Sequence, residues 1–171
     1  MNLKDELTQE LESTRQDFHR LLDSIPEAFY SHPSGNPAWT IGDVLYHITL
    51  GPPVLRLEIW MLCHIPGMFQ LGMNRLTSRM FHWINAPFAR WRGTVTRQNL
   101  IKAYEKGHAG ILSSLKRMRD EDFDKSITYP VEFVSELAGE VTPERLYRYV
   151  KGHFDVHEGQ IRQKFAGISE D

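Results

Sequence analysis

The chain has 171 residues, of which 41% are hydrophobic and 25% charged, and a formal net charge of −2. That is enough for one domain that buries a core unaided, and too near neutrality for a dedicated nucleic-acid binder. Its one cysteine, Cys63, excludes an internal disulfide and suits a reducing compartment.

The charged, amphipathic start MNLKDELTQELE reads as the first turns of a helix rather than the apolar core of a secretion signal. Leu7, Leu11, Thr14, Phe18, Leu21, Leu22 and Ile25 recur at helical spacing and define a first long helix. It ends before residues 31–37, a run of breakers and turn formers. Thr40 then caps a second helix with Asp43 as the capping-box acid. Ile41, Val44, His47 and Ile48 share its inward face. Gly51, Pro52 and Pro53 remove two amide donors, so this helix is expected to kink or restart just past His47 and to resume from Val54 to about Cys63.

Residues 64–93 are rich in Met, Phe and Trp, and Asn74 to Asn85 reads as a short helix within them. The longest uncharged run, Ile59 to Asn74, is interrupted by His64, Pro66, Gly67 and Gly72 and falls short of a membrane span. A third long helix is expected from Arg97 to Met118, with Leu100, Tyr104, His108, Ile111, Leu115 and Met118 on one stripe. Asp120 to Asp124 is a solvated connection, and Ile127 to Ala138 holds short apolar pieces without helical period. Thr142-Pro143-Glu144 starts the last helix: a capping hydroxyl, proline at the first helical position and an acid at the positive end of the dipole. Leu146, Val150, His153, Phe154, His157, Ile161 and Phe165 form its inward stripe. Four long amphipathic helices with almost no strand pattern define an all-α fold, a four-helix bundle with an inserted Met- and aromatic-rich segment, in a single domain over residues 1–171.

Charge is unevenly distributed. Between Glu58 and Glu105 there is no acidic residue, while Arg75, Arg79, Arg90, Arg92, Arg97 and Lys102 supply six positive charges. The arginines at 75, 79, 90 and 92 are candidates for binding an anionic small-molecule substrate. The Met-rich stretch equally suits a homodimer interface.

His153 and His157 lie one helical turn apart on an apolar stripe, an offset that lets two imidazoles converge on one ion. Two hydrogen-bonded core histidines would produce the same pattern, since buried rings need partners of some kind. His47, inward on a different helix, supplies a third imidazole. His108 reads as a satisfied core histidine and Cys63 as a buried, inert thiol. Asp43, one turn before His47, is either a cap or an orienting group, and Asp155 and Glu158 point away from the histidine face. His-Phe-Asp-Val-His lacks the glutamate of zincin proteases.

Trp39-Thr40-Ile41-Gly42-Asp43-Val44-Leu45-Tyr46-His47-Ile48, followed some 100 residues on by His153-Phe154-Asp155-Val156-His157-Glu158-Gly159-Gln160-Ile161, resembles the DinB/YfiT-like family of metal-dependent enzymes. The resemblance implies a four-helix bundle in which His47, His153 and His157 ligate a divalent metal, zinc or nickel. It also implies a low-molecular-weight thiol as a possible co-substrate, because some relatives are thiol-dependent transferases. The expectation is a cytoplasmic, soluble enzyme in which the metal activates water or a thiol for hydrolysis or S-transfer on a small substrate, with no nucleic-acid or membrane partner. The alternative is a non-catalytic metal- or ligand-binding stress-response protein.

Overall fold

In the computed structural model, residues 2–35, 39–75, 95–131 and 134–168 are described, the last four of them by backbone alone. The long helices are α1 (Leu3–Ser24), α2 (Ile41–His64), α4 (Arg97–Arg117) and α5 (Pro143–Ile168), with a short α3 (Pro66–Met73) after α2. Each begins where local chemistry starts a helix. Asn2 and Asp5 form a capping box on α1, and Thr40 and Asp43 form one on α2. Thr96 accepts from the Asn99 amide and Thr142 from the Arg145 amide. These caps satisfy amides that the first helical turn leaves without carbonyl partners.

Among the described residues, α1 and α2 both pack mainly against α4 and α5. The order around the bundle is therefore α1, α4, α2, α5, and the consecutive helices α1 and α2 face each other across the diagonal. Residues 25–40 cross the end of the bundle to make that possible, with a 3-10 turn at Glu27–Ser31 and an isolated bridge between Pro33 and Thr40.

Two features differ from expectation. Of the kink or restart expected at Gly51-Pro52-Pro53, the restart does not occur: α2 runs unbroken through it, packed against neighbours on either side despite the two missing donors. Gly107 of α4 meets this point so closely that a Cβ would lie 2.9 Å from Pro53 Cδ. The segment after α4 also contains a small antiparallel hairpin, β1 (Ile127–Tyr129) and β2 (Gly139–Val141), with Ile127 opposite Val141. Three-residue strands are too short to show alternation in sequence. The expected helix Asn74 to Asn85 falls almost wholly outside the described residues. No described helix is long and apolar enough to cross a membrane.

The core is divided in two. One part gathers Leu7, Leu11, Leu55, Ile59, Ile111 and Leu146; the other gathers Phe18, Leu22, Leu45, Ile48, Tyr104 and Phe154. Between them each helix contributes a polar or small residue: Thr14 from α1, Thr49 and Gly51 from α2, Gly107 and His108 from α4, and His153 from α5. His108 is buried in this layer and bonded through Nε2 to Glu12 Oε1 at 3.2 Å, the satisfied core histidine expected of it.

α1 and α4 are joined on their outer side by ionisable pairs. Glu12 Oε2 accepts from Arg15 at 2.9 Å, and Glu105 Oε1 meets His19 at 2.6 Å and Arg15 at 3.1 Å. The Arg15 bond pulls Glu12 below the ordinary glutamate value of 4.5. Burial pushes Glu105 upward, but the bonds to His19 and Arg15 outweigh it and leave it lowered too. A carboxyl lowered in the folded state stabilises the fold fully above its unfolded value, and that contribution fades as pH falls through the folded value. Melting temperature followed by circular dichroism should therefore drop as buffer is taken below about pH 4.5, and Glu105→Gln should shrink that drop. An identical acid profile for the variant would remove this cluster as its source.

Candidate metal centre

His47 projects from the second turn of α2, and His153 and His157 from successive turns of α5. The structure brings all three together: one ring nitrogen from each lies within 4.8 Å of the others. His47 Nε2 and His153 Nε2 are 3.1 Å apart, and the three ring centroids are separated by 4.7 to 4.9 Å. A tetrahedral zinc with bonds of about 2.0–2.1 Å places its nitrogen ligands roughly 3.3 Å from one another. The closest pair is already near that spacing, and the wider ones need a contraction that rotation about the side-chain torsions supplies. The donor set therefore fits a divalent ion. Each ring is only partly buried, and no cysteine or carboxylate joins the group among the described residues.

The protonation states suit ligation. Burial, then the neighbouring His157, lowers His47 to about 4. His153 is pushed well below the ordinary value by burial, then by His157 and His47. Burial also lowers His157, opposed by its bond to Gln160. All three rings are consequently neutral at pH 7 and offer lone pairs without proton competition.

Neighbouring residues set the ring orientations. His157 Nδ1 donates to Gln160 Oε1 at 3.0 Å, which fixes the tautomer and leaves the ring's lone pair on Nε2. The Trp39 indole lies against the His47 ring with centroids 4.9 Å apart. Gly51 faces His153, and a Cβ there would come 2.9 Å from Nδ1. Neither Gln160 nor Gly51 is readable as a site residue from periodicity: Gln160 stands outside the inward stripe of α5 and enters only within the motif that carries the resemblance, and Gly51 reads only as a helix breaker.

The other candidates lie elsewhere. Asp43 accepts from the Thr40 amide and hydroxyl at 2.8 Å each, so it is part of the α2 cap. Asp155 pairs with Lys151 and Glu158 with Arg162, as the helical geometry requires. Cys63 is buried, and burial raises its thiol, leaving it protonated and inert. Arg75 is exposed at the end of α3. Arg79, Arg90 and Arg92 lie outside the described residues, as does the side chain of Phe165.

No family model and no curated protein matches this sequence. The fold does have a solved counterpart. YfiT from Bacillus subtilis, described as a probable metal-dependent hydrolase with an unusual four-helix bundle topology, superposes with a TM-score of 0.66 at 15% identity, over 97% of this chain and 87% of that one. The four-helix fold implied by the sequence resemblance is thus present across nearly the whole molecule.

Two substitutions probe the centre without replacing any of its three histidines. Gly51→Ala should leave the melting temperature nearly unchanged, since alanine is the better helix former by about 1 kcal/mol, yet weaken zinc or nickel binding because the new Cβ displaces the His153 ring. Metal titration with full wild-type affinity would refute that contact's role. Removing the amide in Gln160→Ala is expected to weaken metal affinity about 10- to 100-fold, with Gln160→Glu retaining most of it.

Proposed function

We propose that this protein is a metal-dependent enzyme in which His47, His153 and His157 hold a divalent transition metal, zinc or nickel, for hydrolysis or thiol transfer on a small molecule. The observation that carries the reading is the convergence of three neutral, partly buried imidazoles with no fourth protein ligand among the described residues. Structural zinc closes its coordination with four protein ligands, whereas catalytic sites keep a position for water or substrate. A bound ion of this kind supplies Lewis acidity, lowering the pKa of water or a thiol toward neutrality.

The protein's own groups have distinct roles in this reading. The three histidines act as ligands rather than bases, since each uncharged ring has a single nitrogen lone pair and that lone pair is directed to the metal. Gln160 holds the His157 proton on Nδ1 and away from the reacting side. Trp39 packs at an angle against the His47 ring and restrains its orientation. The fold shared with YfiT, itself described as a probable hydrolase, favours water as the nucleophile. A low-molecular-weight thiol is the second form of the same chemistry, and its S-transferase activity would use the same ligands.

Elemental analysis of purified protein beside His153→Ala, with parallel assays of activated ester and amide hydrolysis and of thiol conjugation to an aromatic electrophile, tests this directly. The expected result is near-stoichiometric zinc or nickel in the wild type and little in the variant. One of the two activities should fall to background in the variant and on chelation, and return on adding metal. Stoichiometric metal with neither activity would instead make the protein a non-catalytic metal binder. Absence of metal from wild-type protein after incubation with zinc and with nickel would end the proposal.

A further inference from the structure

α2 is apolar on two opposite sides. Of its 24 residues only Asp43, Arg56 and Glu58 carry a formal charge, and Asp43 belongs to the cap. α1, by contrast, carries nine Lys, Arg, Asp and Glu side chains in 22 residues. A helix on the surface of a bundle keeps an apolar stripe for the core and a polar face for water, whereas one that is apolar all round is covered all round. α2 turns Val44, Ile48, Leu55, Ile59 and Leu62 into the core. Its other side is not covered by any of the described residues: Val54 is 49% exposed, Leu57 54% and Trp60 50%.

The spacing on that side is specific. Leu50, Val54, Leu57 and Met61 follow one another at intervals of four, three and four, which confines them to the narrow seam by which one helix packs along another. Arg56 and Glu58 stand about 100° to either side of Leu57 around the helix, as a polar rim to an apolar strip. α3 extends the strip, with Met68 72% and Leu71 52% exposed. A cavity of about 310 Å³ lined by Met61, Ile65, Met68 and Phe69 among others joins the two helices into one surface and offers room for an inserted side chain. Five of the seven large apolar side chains exposed among the described residues therefore gather here, where scattered ones would need no explanation. At these exposures the five present on the order of 500 Å² of apolar surface, which with the half-buried Leu50 and Met61 approaches the roughly 800 Å² that each partner gives to a stable interface.

We propose that this face of α2 and α3 is a two-fold interface with a second copy of the same chain. A seam of this spacing calls for a helix as its partner, and its apolar, uncharged strip is self-complementary, so a two-fold axis lets it meet itself. The Met side chains around the cavity adapt their shape to whatever the facing copy inserts. The inference is independent of the metal-centre reading, since none of the three imidazoles takes part.

Sedimentation equilibrium on full-length protein from about 1 to 100 µM tests it. The wild type should show twice the chain mass of 19.9 kDa. Leu57→Glu and Met68→Glu should each weaken association about 100-fold, because the axis places every new charge in the interface twice and each copy costs about tenfold. Both positions are exposed, so circular dichroism should show unchanged helix content. Leu57→Ala, expected to weaken the dimer about tenfold, serves should the charged variants misfold. A wild-type monomer across the whole range would overturn the proposal and give the face to residues 76–94 of the same chain or to a different protein. A dimer equally tight in the wild type and in folded Leu57 and Met68 variants overturns it as well, by placing the contact elsewhere.

Discussion

Crowding His47, His153 and His157 between α2 and α5 takes three polar rings largely out of water, and the cost of doing so shapes both helices. Unprotonated imidazole is tolerated there because each ring is given a defined neighbour. His47 meets His153 nitrogen to nitrogen at 3.1 Å, His157 gives its proton to Gln160, and His47 is flanked by Trp39. Two facing Nε2 atoms can share a proton or a cation. Depressed basicity makes the cation the more effective partner at neutral pH.

The same crowding explains the peculiar sequence of α2. Glycine followed by two prolines is a poor way to build a helix, yet the segment stays helical because it is packed on both sides. On one side Gly51 leaves room for His153, and on the other Gly107 of α4 fits against Pro53. Both approaches are of a kind a Cβ would block, so glycine is what lets these helices pack as they do here. The result is a thin polar layer that divides the hydrophobic core and reaches the surface at the imidazoles. Stability comes from the apolar parts on either side of that layer, which leaves the layer itself available for chemistry.

Much of the architecture was legible in local patterns. The starts of α2 and α5 follow from Thr40-Ile41-Gly42-Asp43 and Thr142-Pro143-Glu144, because a cap is a contact between residues three apart. The inward stripe of α5 put His153 and His157 on one face for the same reason. The hairpin Ile127–Tyr129 with Gly139–Val141 was not legible, since three residues hold less than two periods of alternation. Between the kink and the restart that Pro52 and Pro53 allow in α2, the sequence could not choose, because what keeps the helix continuous belongs to α4 and α5.

The sequence alone determined the all-helical class, the helix ends and the turn-spaced histidine pair, all properties set by neighbours along the chain. Tertiary structure decided that α1 and α2 lie across the diagonal, that His47 reaches a ring 106 residues away, and that Gly51 makes space for His153. Those facts depend on how faces of distant segments are paired. Periodicity specifies that a face is apolar, but several partners can cover it, and only the packed bundle selects one.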